Sequence, residues 1–342
     1  MTLTVIPVVW PRVRPGDDLT GLLLSDPRLT GGSRLADGDI VVLTSKVVSK
    51  SEARYADDRN TAIAGETLRV VARRGHLIIS ETRLGHVQAN AGVDTSNTEP
   101  GGALLLPLDP DDSARRVRSG VWMRAAVNVA IVITDTMGRA WRTGQVDQAI
   151  GCAGLAPVVD LRGVLDPYGN ELRATMPAIA DELAATADLV KAKITEQPVA
   201  IVRGLADLVL PPTDDGPGAV ALVRPKDQDL FGWGAREAVI AALRRDADDV
   251  RHFGSPGPGD LEQAVELTVD TVSIGVQVTR SEGAIEVTAR EPSGLFDCGR
   301  VVEKLVAVLA AHRSGPTVQQ LGPTTWQVAY TSGEPAPVTD QA

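Results

Sequence analysis

The chain has 342 residues, and its 34 Lys and Arg against 44 Asp and Glu give a formal charge of -10 and a pI near 5.0. That acidic balance excludes the basic face that general nucleic-acid or anionic-membrane binding requires, although a few arginines with metal ions can still hold an anionic small substrate. No window approaches the roughly 20 apolar residues of a membrane span. The opening MTLTVIPVVWPRVRPGDD has no long apolar core behind a basic start, so the expectation is a soluble, cytoplasmic protein.

Taken in chain order, short apolar runs bounded by Gly, Asp or Pro read as strands: Leu3–Val9, Ile40–Leu43, Leu77–Ile79, Ala103–Leu106, Val127–Ile133 and Val199–Val202. Helical patterns lie between them at Thr61–Arg73, Ser113–Ala125, Ala178–Lys193 and Gln228–Arg245. This interleaving predicts a mixed α/β domain over residues 1–250. The Pro/Gly cluster HFGSPGPG places a linker at 251–259. Beyond it, strand-like Val272–Val278 and Ala284–Ala289, a helix over Phe296–Ala311 and a last strand at Thr325–Tyr330 predict a small α+β module over 260–331, followed by a polar tail at 332–342.

Three segments carry candidate chemistry. The strand Val127–Thr134 runs into Asp135, Thr136 and the loop GRAWRTGQ, where open α/β sheets place ligands. Asp135 and Thr136 can offer oxygen to a hard cation, and Arg139 and Arg142 can meet anionic oxygens. The same residues equally describe a strand-end turn with solvated arginines. Asp94 and Asn97 follow the strand-like His86–Ala89 in a setting that suits metal and nucleotide contacts, or an Asx-type turn. The run VVLTSKVVSK ends a strand in Ser45, Lys46 and Lys50 at an apparent helix start, which describes an anion site or an amphipathic helix with surface lysines.

Other chemistry is not signalled. There is no GxxxxGK[ST], no GxGxxG after a strand and no GxSxG. The four histidines lack metal-ligand spacing. Cys152 and Cys298 lie too far apart for a zinc cluster, and Cys152 reads as a small buried residue.

Several ordered blocks together resemble the gamma-glutamyl ligase family of coenzyme F-420 biosynthesis. They are VRPGDD at 13–18, GDIVVLTSKVVSK at 38–50, GVDTSN at 92–97 and VITDTMGRAWR at 132–142, followed by DPYGNE at 166–171, ADLVKAK at 187–193 and VRG at 202–204. The resemblance implies a GTP-dependent ligase joining L-glutamate to coenzyme F-420-0 as a homodimer, with two divalent ions (manganese or magnesium) and potassium as a further candidate ion. It implies metal ligation by Asp94, Asp135 and Thr136, with a further acidic contribution from Asp214 or Asp215, although the stretch before these is longer than the family pattern. It also implies GTP contacts from Asn97, Ser45, Lys50 and the loop Trp10, Pro11, Arg12, Val13, where the family shows a Leu-Pro-Glu-like run. The C-terminal module is too short for the flavin-binding domain of some relatives, so FMN is not expected. Two alternatives stay open: a related ligase with another carboxylate acceptor, and a non-catalytic nucleotide- or coenzyme-binding protein on the same fold.

Overall fold

The computed structural model describes residues 2–25, 34–96, 102–191, 197–254, 256–257, 259–269 and 275–331. The fold is mixed α/β, and the chain divides into two compact units, Met1–Val223 and Arg224–Ala342. The division therefore falls earlier than the Pro/Gly cluster suggests. Residues 224–250 group with the second unit.

The elements of the first unit are β1 (Thr4–Val8), α1 (Leu19–Ser25), β2 (Ile40–Thr44), α2 (Ser45–Ser51), β3 (Tyr55–Ala56), α3 (Arg59–Glu66), β4 (Thr67–Arg74), β5 (Leu77–Thr82), β6 (Val87–Ala89), β7 (Ala103–Leu104), α4 (Pro110–Ala125), β8 (Ala130–Arg139), β9 (Arg142–Ala153), α5 (Ile179–Lys191) and β10 (Val199–Arg203). Its central sheet has the order β1-β10-β2-β8-β9. Strand β10 is antiparallel to both β1 and β2, while β2 and β8 are parallel, so β1, β2 and β8 all run the same way. One row of register partners crosses four strands: Val8, Val199, Leu43 and Ile133. The carboxyl ends of β1, β2 and β8 consequently open onto one edge of the sheet.

Both faces of that sheet are covered, which explains why its strands read as continuous apolar runs. Ile131, Ile133, Val41 and Leu43 pack with Leu19 and Leu23 of α1, Val47 and Val48 of α2, and Val117 and Val121 of α4. On the other face, Ile40, Val42, Val132 and Val202 pack with Ala180, Leu183 and Ala187 of α5. Helix α4 starts sharply because the Asp109 carboxylate caps the Asp112 N–H at 2.8 Å and Pro110 fits the first turn. A smaller core of Ala62, Ile63, Val93 and Ala103 supports the two-stranded β3-β7 and three-stranded β4-β5-β6 sheets.

Two expectations are corrected here. The helix read over Thr61–Arg73 is a helix only to Glu66 and then strand β4. The alternation of Leu68 and Val70 with Arg69 is a two-residue period, and the register with β5 overrides the apparent helical pattern. The loop read after Asp135 is the second half of β8 and its antiparallel return β9. The hairpin turns at Ala140 and Trp141, where Trp141 takes a left-handed φ of 64°.

The second unit contains α6 (Ala235–Arg244), α7 (Ala247–Val250), α8 (Asp260–Val269), β11 (Val276–Ser281), β12 (Ala284–Ala289), α9 (Leu295–Ala311), β13 (Thr317–Gly322) and β14 (Thr325–Ala329). Its antiparallel sheet has the order β11-β12-β14-β13. Ile285, Val287 and Val328 from the sheet pack with Leu305 and Leu309 of α9 and Leu261 and Val265 of α8. The helix expected from Gln228 begins only at Ala235, after Gly232 and Gly234 have interrupted the pattern. Residues 270–274 and the tail 332–342 lie outside the described residues. No helix among the described residues is long and apolar enough to cross a membrane. Cys152 and Cys298 are both buried and free.

Candidate active site

Parallel pairing sets Thr44 beside Thr134, so the next residues on each strand, Ser45 and Asp135, meet at the sheet edge. The Ser45 hydroxyl donates to Asp135 Oδ1 at 3.1 Å. Burial of Asp135, opposed by that hydrogen bond but reinforced by the negative charges of Asp147 and Asp94, raises its carboxyl to about 6. Two further carboxylates therefore lie near enough to Asp135 to act on it.

Asp94 arrives from another sheet. Its backbone N–H and C=O exchange hydrogen bonds with Leu104 of β7 at 3.0 and 2.8 Å, while β6 packs on β8 and β7 on α2. Its side chain accepts from the Ser96 N–H at 2.7 Å and pairs with Lys46 Nζ at 2.6 Å. Burial pushes the Asp94 carboxyl up, but Lys46 and Ser96 outweigh it and hold the group below its ordinary value.

Asp147 is a functional candidate that the sequence reading missed. It lies on β9 directly across from Thr136, and its side chain is buried. Its Oδ1 accepts from Thr136 Oγ1 at 2.7 Å, and its Oδ2 accepts from Thr134 Oγ1 at 2.8 Å and Lys191 Nζ at 2.7 Å. Successive strand residues point to opposite faces. Asp135 thus joins Ser45 on the α2 side, while Thr134, Thr136 and Asp147 meet Lys191 on the α5 side.

A cationic group faces the carboxylates. Burial, then the charges of Lys46 and Arg12, lower the Lys50 ammonium from its ordinary value. Lys46 and Arg12 thus both lie close enough to act on Lys50. Helix α2 has only seven residues, so these side chains, more than a helix dipole, make the edge attractive to an anion. In the loop after β1, Pro11 and Arg12 are exposed, whereas Trp10 and Val13 are buried in the core. Only their backbone can serve a ligand directly, with the exception of the Trp10 indole N–H, which is buried without a protein partner.

Among the described residues, Asp215, Arg139 and Arg142 have their recorded partners outside this group. Asp215 is held elsewhere: its Oδ1 pairs with the buried Arg118 at 2.7 Å, and its carbonyl accepts from the Gly154 N–H. Gly154, just past the end of β9, lies six residues on from Gln148, the register partner of Asp135, or about 20 Å at ~3.3 Å per residue. Arg118 also donates to the carbonyls of Val129, Asp214, Leu210 and Pro211, so the Asp214–Asp215 turn is held as structure. A Cβ at Gly154, whose φ is +78°, would come within 2.2 Å of Arg118 Nε, which explains the glycine. Arg139 and Arg142 oppose each other at the hairpin tip, with Arg139 Nη2 donating to the Thr143 carbonyl at 3.0 Å. Asn97 lies outside the described residues.

The donors are oxygen only: the Asp94 and Asp135 carboxylates with the Ser45 hydroxyl on the α2 side, and the Thr136 hydroxyl on the α5 side of the same strand. Oxygen donors suit hard divalent cations. Among the described residues no three His, Cys, Asp or Glu side chains converge as a ready ligand cluster. A cation here would need oxygens from its substrate as well, which is usual where phosphates are bound.

Comparison with known proteins bears on this arrangement. The model of the F420-0:Gamma-glutamyl ligase family matches residues 7–73 and 58–204, more than half of the chain. The chain belongs to this family. The matched span holds the end of β1 and all of β2, β8 and β9, and with them Ser45, Lys50, Asp94, Asp135 and Asp147. A protein of Methanothermobacter thermautotrophicus named Coenzyme F420:L-glutamate ligase is 40% identical over 244 residues, covering 65% of this chain and 95% of that protein. Proteins of the same name from Methanopyrus kandleri and Halobacterium salinarum are 38% and 36% identical, and the matches cover 98% and 94% of their lengths. The second unit lies beyond the span of the family model.

Proposed function

We propose that this member of the gamma-glutamyl ligase family uses GTP to form an amide between L-glutamate and the terminal carboxylate of coenzyme F-420-0, and extends a γ-linked glutamate tail. The observation that carries this reading is the meeting of Ser45, at the end of β2, with Asp135 of β8, beside Asp94 and its partner Lys46. The names of the relatives support the acceptor and the amino acid.

A carboxylate does not acylate an amine unaided. Transfer of the γ-phosphoryl group of GTP to the acceptor carboxylate would release GDP and give an acyl phosphate. The glutamate amine would then attack the acyl carbon, and phosphate would leave. Lys50, Lys46 and Arg12 would hold the nucleotide phosphates, with Ser45, the backbone at Trp10–Val13 and Asn97 beside them. Asp94, Asp135 and Thr136 would hold the divalent cations, manganese or magnesium, whose contribution when bound is neutralisation of phosphate charge. Arg139 and Arg142, farther along the hairpin, would grip substrate carboxylates. A homodimer is part of the same reading.

The test is GDP release by the purified chain with GTP and Mn2+, measured with glutamate and acceptor together and with each omitted. Release that depends on both supports the ligase. Release that ignores glutamate would replace this reading with a phosphohydrolase, and tight GTP binding without release would leave a binding protein.

A further inference from the structure

We propose that Asp147, locked in place by Lys191, is a positioning residue that fixes the hydroxyl of Thr136 as an oxygen donor at the edge of the site. The inference rests on the reading of Asp94, Asp135 and Thr136 as the set that holds divalent cations.

The hydrogen-bond pattern carries the argument. A threonine hydroxyl has one proton and two lone pairs. In the structure the Thr136 proton goes to Asp147 Oδ1 at 2.7 Å, which turns both lone pairs away from Asp147 and leaves them as acceptors. A hydroxyl free to rotate would present its proton to a cation for part of the time. Asp147 removes that freedom. Its other oxygen is taken up by Thr134 Oγ1 and Lys191 Nζ, so Asp147 is occupied on both sides and serves as a support, not as a ligand itself.

Burial and origin point the same way. Asp147 and Lys191 side chains are each 5% exposed, and they come from β9 and the last residue of α5. A buried ion pair adds little net stability compared with apolar side chains filling the same space. Lys191 also donates to Thr134 Oγ1 at 2.6 Å, which ties α5 to β8 one residue before Asp135. The four side chains Thr134, Thr136, Asp147 and Lys191 thus form one network whose open end is the Thr136 hydroxyl. Lys191 pairs with Asp147 at 2.7 Å, so the carboxylate that orients the donor has its own counter-charge, as Asp94 has in Lys46.

The test is Mn2+ binding to the full chain in the presence of GDP, read from the electron paramagnetic resonance signal of free Mn2+. Asp147→Asn and Thr136→Val are each expected to weaken Mn2+ binding about 10- to 100-fold, as loss of a ligand's hydrogen-bonded support does elsewhere. Thr136→Ser, which keeps the hydroxyl, is expected to bind like the wild type. The double variant is expected to bind no worse than Thr136→Val alone, because Asp147 acts through that hydroxyl. Should Asp147→Asn melt below the assay temperature, Asp147→Glu keeps the charge opposite Lys191 while displacing the acceptor, and is expected to show the same loss. Unchanged Mn2+ affinity in a folded Asp147 variant, or losses that add in the double variant, would overturn the inference alone. A wild-type chain that binds no Mn2+ would overturn the metal reading and this inference with it.

Discussion

Ser45 and Asp135 are ninety residues apart in the chain, yet a single hydrogen bond of 3.1 Å joins them. Parallel register between β2 and β8 makes that contact unavoidable, because it seats Thr44 beside Thr134 and leaves the next residue of each strand at the same edge. One hydroxyl does not offset the desolvation of Asp135 and the neighbouring charges of Asp147 and Asp94, so its carboxyl is raised to about 6. The arrangement stores a repulsion that a bound cation would relieve.

That repulsion has a pH signature. The folded value of Asp135 lies above its ordinary 3.8, so the native state binds more protons than the unfolded state between the two values. Stability of the metal-free protein therefore falls as pH rises through that window, and the full destabilisation is present above about 6. Asp135→Asn, an uncharged isostere, is expected to melt higher than the wild type at pH 8, by a few degrees for a chain of this size. The gap is expected to close near pH 4, while turnover is abolished throughout. Thermal melts at both pH values check this, and equal melting at pH 8 would contradict it.

Lys50 is already disfavoured as an ammonium by burial and by Lys46 and Arg12. Lys50→Ala is expected to weaken GTP binding about 10- to 100-fold, the value of a hydrogen bond to a charged group. It is expected to leave the melting temperature of the nucleotide-free protein unchanged or slightly raised. Fluorescence titration with a labelled GTP analogue would measure the first effect, and a melt the second.

Arg118 and Asp215 make the opposite case. Arg118→Met would remove a donor from four backbone carbonyls and from the Asp215 carboxylate, and is expected to destabilise the first unit by about 3–5 kcal/mol. Asp215→Asn is expected to leave Mn2+ affinity unchanged, because that carboxylate lies at the far end of the hairpin from Asp135. Denaturant unfolding and Mn2+ titration measure these separately. A loss of Mn2+ binding in Asp215→Asn would restore Asp215 to the site.

Much of this was legible in the sequence. The apolar runs at Ile40–Leu43 and Val127–Ile133 read as buried strands, and the polar residues beyond them, Ser45 and Asp135, stood out because several ordered blocks together resemble one family. Asp147 was not legible. The stretch RTGQVDQ has only one large apolar residue, so it reads as a loop, and β9 is a strand because it pairs with β8. Register, which sets Asp147 opposite Thr136, is a tertiary fact that no local pattern records. The surroundings of Asp215 were hidden for a similar reason. Its local sequence resembles a ligand turn, while its partner Arg118 lies 97 residues earlier.

The two units also differ in what they are expected to supply. The family match ends at residue 204, and 65% of the chain is covered by the first relative, close to the extent of Met1–Val223. A fragment ending at Val223 is expected to fold cooperatively and retain Mn2+ and GTP binding. Circular dichroism melts and titrations of the fragment would show this, and an unfolded fragment would show that the first unit depends on the second.

The most direct test of the central claim is mass spectrometry of the products formed from GTP, Mn2+, L-glutamate and coenzyme F-420-0. The account predicts an acceptor heavier by whole glutamyl units, one GDP formed per unit added, and no product with Asp135→Asn. An acceptor of unchanged mass in the presence of bound GTP and Mn2+ would contradict it.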